Sequence, residues 1–542
     1  MLPLSEHSRS GSTTTDLTLD NKEKYEVGEE SKDEVGENNK DLSDKTLGPS
    51  SQSEVYPTGI RMVPVVLALV CAVFLVALDM TIVGTAIPKI TDEFDGLNMV
   101  SWYGSAYFMT FGGFQPASGK LFKFYPLKIS FLVSIFIFVV SSLVCAVAKN
   151  STTFVVGRAF AGVGAAGVAT GAFTIVAFSA EPKVRPGLIG LMDTEYDSFY
   201  LNVPVGGVSA ALIVLFFKTP PQATTTKASA KEKLLHMDPL GVILVMAGII
   251  TFILAVEYGG QKKPWRSGTV IGLFVGSVLI WIAFGLWEYF NNTHAMLQGH
   301  VIRKRSVWQP SAFQFFFAAS YFVLLYYLPI YFQSVDNRTA ISSGVLNLPL
   351  VLAMAAGSTV SGIVVSKTGH AAPFMVAGAV IATVSSGLMY TFDIGTTMGK
   401  WVGYQFLYGI GVGVGFQMGI TIAQANAKME DMSSVTATVF FFQTIGGAFT
   451  VSAAQSGFVN RMLEVLARIA PEINPQKVLG TGATQIRHAF PADSIPDIVV
   501  AYMAGIKVTF ALVVGLAGVT CILVAFVPRQ RLNSGATHGA VA

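Results

Sequence analysis

Long apolar runs set the fold that this chain can adopt. A helix needs about 20 mostly apolar residues to cross the hydrocarbon core of a bilayer. Thirteen such runs lie roughly at 64–86, 99–118, 127–148, 153–179, 199–217, 239–257, 268–289, 308–332, 344–366, 372–392, 400–424, 434–457 and 500–527. The mean hydropathy is +0.56 and 52% of the residues are hydrophobic, more than a soluble protein could bury. The sequence therefore predicts an all-α polytopic membrane protein.

The polar parts of the chain exclude several classes of function. The net charge is only +3, with no dense basic block that would indicate a nucleic-acid partner. No G-x-x-x-x-G-K-[ST] phosphate loop occurs and no soluble region is long enough for a nucleotide-binding domain, which disfavours an ATP-driven pump or another membrane enzyme. The three cysteines lie inside apolar runs, where packing is favoured over a disulfide framework. We expect neither a metal site nor a bound cofactor.

Basic residues indicate which connections face the cytoplasm, because short cytoplasmic loops collect lysine and arginine. Residues 1–57 are polar and are predicted to form a disordered cytoplasmic tail. Counted from that tail and from the end of the last span, the basic connections are 119–128, 181–186, 218–238, 290–307, 366–371, 425–433 and the tail from 529. All are therefore expected on the cytoplasmic side.

This assignment produces one local conflict. The basic connections at 181–186 and 218–238 are both inside, yet only one clear span, 199–217, separates them. Residues Gly187–Met192 would have to form the missing crossing. Six residues in a helix rise only about 9 Å, whereas the hydrocarbon core of the bilayer is about 30 Å thick. We interpret this as the absence of one helix. The alternative, an interfacial or re-entrant segment at 181–198, would leave the later basic connections outside.

The two halves of the sequence resemble each other. The segment "VGRAFAGVGAAGVATGAF" (156–173) resembles "VGYQFLYGIGVGVGFQMG" (402–419), and "SGKLFK" at 118 and "SGIVVSK" at 361 precede them. The comparison sets Gly162 against Gly409, Gly164 against Gly411, and Arg158 against Gln405. Repeats of this kind are typical of transporters that rock two bundles about a central site. The four glycines are expected to allow close helix packing.

Five motifs together resemble those of the major facilitator superfamily. They are "LDMTIVGTAIPKITDEF" (78–94), "GRAFAGVGAAG" (157–167), "YYLPIYFQSV" (326–335), "SSGVLNLPL" (342–350) and "FFFQTIGGAFTVSAAQ" (440–455). The pattern is similar to the fourteen-helix drug:proton antiporter branch, in the version found in fungal toxin and multidrug efflux pumps. That family has an amino-terminal six-helix bundle, two linking helices and a carboxy-terminal six-helix bundle.

The resemblance implies a domain organisation with about 13 of 14 spans present. The expected parts are the tail (1–57), the first bundle without its fifth helix (58–218), a cytoplasmic loop (219–238), two linking helices (239–290), the second bundle (291–528) with an external loop (458–499), and a cytoplasmic tail (529–542). After Arg185 and Pro186 the family continues through its fifth helix, with a Gly-Pro antiporter motif, before the segment that matches Asn202–Gly206. No residue here can be assigned to that motif.

The candidate functional residues lie within the predicted spans, where ionisable groups are expensive and default to functional hypotheses. Asp79 and Arg158 match the acidic and basic positions of the family's first and fourth helices and are predicted to couple transport to protons, although a fixed structural ion pair is the alternative. Glu257 and Glu288 end the linking helices and are expected in water. Uncharged hydrogen-bonding and aromatic side chains could line a substrate cavity: Gln333, Gln405, Gln417, Gln443, Tyr327 and Phe416. Asn150 and Asn337 begin N-x-T sequons in predicted outer loops.

Together these features predict a secondary active transporter that exports small organic molecules, such as toxins, secondary metabolites or drugs, in exchange for protons. It is expected to act as a monomer in the lipid bilayer, without a cofactor, and in the plasma membrane rather than the vacuole. The alternative is a transport-deficient splice or gene-model variant of such a pump. A channel or a receptor would not predict the internal repeat.

Overall fold

The computed structural model describes residues 62–94, 100–190 without 182, 202–292 without 221, 222, 224 and 227, 294–481, 485–527 and 531–532. The predicted tail at 1–57 and most of that at 529–542 lie outside this part of the chain. Within it, eleven helical segments are long and apolar enough to cross a membrane. The all-α polytopic class predicted from the sequence is confirmed.

The first half of the chain contributes six helices. They are α1 (Val63–Phe94), α2 (Val100–Phe124), α3 (Leu127–Ala146), α4 (Ser151–Ser179), α5 (Arg185–Gly190) and α6 (Asn202–Phe216). The predicted span at 99–118 is α2, a helix of 25 residues that carries Lys120 and Lys123 in its last turns. The predicted span at 199–217 is α6, which has only 15 residues. These two predicted spans are not among the eleven long apolar segments.

The linking region begins with the short helix α7 (Ala230–His236), which Ser229 and Glu232 start with a reciprocal capping box. Two long helices follow, α8 (Pro239–Tyr258) and α9 (Gly268–Asn291), and then the single turn α10 (Gly299–Ile302). Asp238 starts α8 by accepting a hydrogen bond from the Gly241 backbone N–H at 3.0 Å. Its other oxygen accepts from the Met296 backbone N–H at 3.0 Å, which ties the end of the helical pair to its beginning.

The second half contributes the remaining helices. They are α11 (Arg305–Ser334), α12 (Ala340–Leu346), α13 (Leu348–Thr368), α14 (Ala372–Tyr390), α15 (Met398–Phe416), α16 (Met418–Ala425), α17 (Met432–Ile469), α18 (Pro475–Gly480), α19 (Ile486–Ala489) and α20 (Ile495–Val524). Helix α17 continues three turns into the segment predicted as the external loop 458–499. Ion pairs from Glu464 to Arg461 and Arg468 support its exposed face, while Met462 and Leu466 are buried.

Glycines dock the helices of the two halves in the same way. A Cβ at Gly162 would strike the Tyr107 carbonyl of α2, and one at Gly409 would strike the Leu350 carbonyl of α13. A Cβ at Gly164 would lie 2.5 Å from the Phe138 nitrogen in α3, and one at Gly411 would lie 2.7 Å from the Ala382 nitrogen in α14. Helix α4 therefore packs against α2 and α3 as α15 packs against α13 and α14.

The helix α6 runs antiparallel to α1. Its Ser209 hydroxyl donates to the Ala68 carbonyl at 2.8 Å, whereas the earlier residue Gly206 packs against Leu75, further along α1. At the end of α6, Lys128 donates to the Val214 and Phe217 carbonyls at 2.9 and 2.8 Å. Helix α6 therefore ends on the face where α3 begins, the face predicted to be cytoplasmic.

Helix α5 begins on that same face. The Gly187 backbone N–H donates to the Ser366 hydroxyl in the last turn of α13 at 2.9 Å. A Cβ at Gly362 would strike the Pro186 carbonyl. Helix α5 therefore starts, and helix α6 ends, at the same face of the molecule. Residues 191–201, which connect the two helices, lie outside the described residues.

Candidate functional site

A buried ion pair joins α1 and α4 in the first bundle. The Arg158 guanidinium contacts the Asp79 carboxylate at 2.5 Å, and both side chains are fully buried. Arg158 also donates to the Asp79 carbonyl and the Tyr103 carbonyl, each at 3.1 Å. Asp79 lies about midway along α1, and Arg158 lies two turns into α4, as the sequence motifs predicted.

Aromatic side chains enclose the pair. The Arg158 guanidinium carbon lies 4.4 Å from the centre of the Tyr107 ring, a distance that allows a cation–π interaction. Tyr326 of the second half donates from its hydroxyl to the Met80 carbonyl at 2.9 Å. One oxygen of Asp79 (Oδ1) and one nitrogen of Arg158 (Nη2) have no hydrogen-bond partner within the described part of the chain. The pair is therefore desolvated, and its hydrogen-bonding capacity is only partly satisfied. Burying two charges in this way costs free energy of desolvation.

A cavity of about 80 Å³ lies between the two bundles beside this pair. Its walls come from α1, α2, α4, α11, α13, α15 and α17, and the Gln417 link between α15 and α16 also contributes. They are Val73, Val76, Ala77, Met80, Phe111, Ala169, Phe173, Tyr321, Phe322, Leu325, Met354, Phe416, Gln417, Phe440, Gln443 and Thr444. Ala77 and Met80 flank Asp79 in α1, so the ion pair and the cavity wall share one turn of this helix. A mostly apolar cavity with a few polar groups suits organic compounds.

Three of the six predicted cavity residues lie in this wall: Phe416, Gln417 and Gln443. The Gln443 amide oxygen accepts from Gln314 at 3.2 Å. The other three lie elsewhere. Gln333 donates to Ser343 at 2.8 Å, and Tyr327 donates to Gln455 at 2.8 Å.

Gln405 occupies the position that the repeat sets against Arg158. It is fully buried in α15, and neither atom of its amide has a hydrogen-bond partner within the described residues. The second half therefore keeps a polar group at this position but not the charge.

Contacts between the bundles close the cavity on the face where α4 ends and α17 begins, the face predicted to be cytoplasmic. Phe173 of α4 packs edge to face on Phe440 of α17, with ring centres 4.8 Å apart. Further toward that face, Asp431 approaches Lys123 at 3.6 Å, His300 at 3.1 Å and Lys304 at 3.6 Å. The sequence showed these basic residues as loop charges, but their common acidic partner is more than a hundred residues away and could not be recognised from spacing.

Three charged side chains are buried or partly buried, and two of them, Glu257 and Glu288, were predicted to face water. Lys120 is 1% exposed in α2 and donates to the carbonyls of His294 and Ala295. Glu288 accepts from the Met296 and Leu297 backbone N–H groups at 3.1 and 2.7 Å. Glu257 has a side chain that is only 9% exposed. The prediction of solvated positions for Glu257 and Glu288 was wrong because α8 packs against α2 and α17, and because the chain after α9 turns back over Glu288.

The two sequons lie at helix boundaries. Asn150 is exposed and caps α4 by accepting from the Thr153 backbone N–H at 2.8 Å. Asn337 is exposed between α11 and α12 and has a positive φ of 55°.

Comparison with known proteins supports the family resemblance that the five sequence motifs indicated. The model of the family described as Major Facilitator Superfamily matches residues 69–194 and 198–451. The chain belongs to the Major Facilitator Superfamily. The described residues are 83% helical, as this superfamily requires, and the chain is a multi-pass membrane transporter rather than an enzyme.

Two fungal members of the superfamily cover most of the chain. The "MFS-type transporter grgE" of Penicillium sp is 51% identical over 511 residues, which cover 90% of each chain. The "Probable efflux pump gsfJ" of Penicillium aethiopicum is 47% identical and covers 87% of this chain and 88% of the relative. Among solved structures, the human organic anion transporter MFSD10 superposes with a TM-score of 0.54 at 12% identity, covering 86% of this chain and all of that one. That likeness concerns the fold.

Proposed function

We propose that this superfamily member exports small organic molecules in exchange for protons. The observation that carries the proposal is the fully buried Asp79–Arg158 pair beside a cavity between two bundles. The kinship with a fungal efflux pump supports the direction of transport. The bundles would rock about the cavity and open it to one side of the membrane at a time.

The ion pair can link that motion to a proton. While Arg158 contacts Asp79, the carboxylate is stabilised as an anion. If the rocking of α1 against α4 separates the two groups, a carboxylate left alone in a desolvated site favours its protonated form. Restoring the contact then expels the proton. Because Ala77 and Met80 line the cavity on either side of Asp79, a bound substrate can favour the restored contact and so expel the proton, as an exchange of substrate for protons requires.

The test uses the full chain in sealed vesicles with an imposed proton gradient and a loaded organic dye. Efflux should stop when a protonophore collapses the gradient, and Asp79→Asn should abolish gradient-driven efflux. The matched control is Asp393→Asn, since Asp393 lies in a connection and its carboxylate is exposed. Efflux that survives both the protonophore and Asp79→Asn would disprove proton coupling.

The proposal also covers the location, the oligomeric state and the partners of the pump. We place it in the plasma membrane rather than the vacuole, acting as a monomer without a cofactor, with protons, the substrate and the bilayer as its partners. A fluorescent fusion of the full chain followed by microscopy tests the location. The mass of the purified protein in detergent tests the oligomeric state.

A second candidate is a transport-deficient variant that lacks most of its fifth helix. Within the described residues, α5 spans 6 residues and α6 begins at Asn202. A continuous helix over 185–201 would rise about 25 Å, short of the roughly 30 Å core, and would carry Asp193, Glu195 and Asp197 near its middle. An aspartate at the centre of a membrane helix costs about 2.5–3.5 kcal/mol.

The alignments support this second candidate. The match to grgE runs over 511 positions, whereas 90% of 542 residues is about 488, so about 23 positions have no counterpart in this chain. The family model is also interrupted, between residues 194 and 198. Sequencing the transcript across the codons for Met192 and Asp193 tests the idea. An in-frame insertion of about 30 residues, roughly a membrane-spanning helix with its turns, would support it, and an uninterrupted transcript whose product transports would refute it.

A further inference from the structure

A second cavity, of about 100 Å³, lies near the outer ends of α2, α8, α11 and α17. The linking helix α8 forms one wall, so the cavity exists only because that helix covers the seam between the two bundles. The lining residues are Gly104, Ser105, Phe108, Ile253, Glu257, Tyr326, Ala448, Val451, Ser452, Gln455 and Ser456. Glu257 is the single charged side chain among them.

The carboxylate of Glu257 is buried and half satisfied. Its Oε1 contacts the Lys262 ammonium at 2.7 Å, but its Oε2 has no hydrogen-bond partner within the described residues. Lys262 itself is 46% exposed and reaches back from the connection between α8 and α9. A buried anion with a free oxygen favours a cation, and it disfavours an anionic ligand by repulsion.

Two aromatic rings share the cavity with this carboxylate. Phe108 and Tyr326 have ring centres 6.1 Å apart and are tilted by 56° to each other. Faces of aromatic rings attract ammonium groups, and alkylated ammonium ions are recognised in this way. The remaining lining is largely aliphatic or hydroxyl-bearing, and the described residues contain no cluster of His, Cys, Asp and Glu that could hold a metal ion. The chemistry therefore fits an alkylammonium group better than a metal cation.

We propose that this cavity binds an alkylammonium group, with Glu257 as counter-ion and Phe108 and Tyr326 as ring partners. The bound cation replaces Lys262, whose ammonium occupies one carboxylate oxygen in the empty site. The group belongs either to a free organic cation or to a phospholipid headgroup at the outer leaflet. This cavity shares Tyr326 with the surroundings of Asp79 but does not include Asp79 itself, and the inference stands whether or not transport is proton-coupled.

The experiment measures binding by the full-length protein in nanodiscs of phosphatidylglycerol, which carries no ammonium group. Choline and its uncharged carbon isostere 3,3-dimethylbutan-1-ol serve as matched probes, followed by ligand-observed NMR. We expect choline to bind at least tenfold more tightly than the isostere. Glu257→Gln should abolish that difference, whereas Lys262→Ala should tighten choline binding several-fold because it removes the competing ammonium.

Controls separate the site from general charge effects. Glu464→Gln removes an exposed carboxylate of α17 and should leave choline binding unchanged. Ile253→Trp fills the cavity and should weaken both probes. Equal choline binding by wild type and Glu257→Gln, or weaker binding by Lys262→Ala, would overturn the proposal.

A lipid arm distinguishes the two sources of the ammonium group. Replacing part of the phosphatidylglycerol by phosphatidylcholine should reduce choline binding if a headgroup occupies the cavity. Unchanged choline binding in those nanodiscs would assign the cavity to free organic cations.

Discussion

Helices α5 and α17 hold equivalent places in the two halves but differ greatly in length. A Cβ at Gly119 of α2 would lie 2.8 Å from the Ser433 carbonyl in the first turn of α17. Its counterpart Gly362 of α13 meets the Pro186 carbonyl in the first turn of α5. The docking end is thus the same, but within the described residues α17 extends over 38 residues and α5 over 6. Docking at the cytoplasmic face needs only one turn of helix, whereas crossing the bilayer needs the remaining length.

The two halves also differ at the buried polar position of α4 and α15. Arg158 of α4 has a charged partner, and Gln405 of α15 has none among the described residues. The glycines that dock the two helices are nevertheless matched. Packing is therefore shared between the halves, while the charge that could respond to protons is placed in the first half.

The largest expected effect tests the contrast between Arg158 and Gln405. Arg158→Leu leaves Asp79 buried without a counter-charge and should cost about 3–5 kcal/mol of unfolding free energy. Gln405→Leu removes a buried amide without partners, so stability should stay the same or rise. Denaturant unfolding of the purified full chain measures both. Asp79→Asn combined with Arg158→Leu should recover much of the loss, and equal losses for Arg158→Leu and Gln405→Leu would refute the contrast.

The next effect sharpens the comparison of α5 with α17. Gly119→Ala should cost about 1–3 kcal/mol, because the new methyl group meets the backbone of a long, firmly packed helix. Gly362→Ala should cost less, since six residues of α5 can shift more easily. Thermal unfolding followed by tryptophan fluorescence measures the difference. Gly276→Ala in α9, where a Cβ meets nothing within 4 Å, is the control and should not destabilise.

A smaller effect tests whether α5 is held at all. Ser366→Ala removes the acceptor of the Gly187 backbone N–H and should cost about 0.5–1.5 kcal/mol. Ser385→Ala is a fair comparison, because that hydroxyl bonds only to carbonyls of its own helix, α14. If the two substitutions have the same effect on the unfolding midpoint, the contact between α5 and α13 contributes nothing.

The smallest effect concerns an exposed ion pair, which contrasts with the buried one. A hydrogen bond from Lys507 at 2.8 Å, assisted by the Ile394 backbone N–H, lowers the pKa of Asp393 below its ordinary value. A depressed pKa in the folded state adds stability above the unfolded pKa of about 3.9, and this is lost as the pH falls through the folded pKa. Asp393→Asn should therefore cost at most about 1 kcal/mol at pH 7, and progressively less below pH 4. A pH-independent difference between the two melting curves would show that the ion pair is not its cause.

The candidate site was predictable in part. Asp79 and Arg158 could be singled out because ionisable groups inside apolar spans are rare, and the structure brings them into contact. Gln333, Gln405 and Tyr327 met the same criterion of polarity in a span, yet they lie outside the wall of the central cavity. Composition identifies a polar group inside the membrane, but the rotation of each helix decides which way the group points.

The sequence by itself determined the all-α class, the order of the long apolar helices and the internal repeat, because bilayer thickness fixes a minimum helix length. Only the tertiary structure decided that Lys120 bonds two carbonyls, that Asp431 gathers three basic side chains, and that Glu257 enters a cavity. Except for Glu257 and its partner Lys262, the residues that meet in these contacts are far apart in the chain. They meet because segments remote in the sequence pack together, with α8 against α2 and α17, and no local periodicity in the sequence predicts that packing.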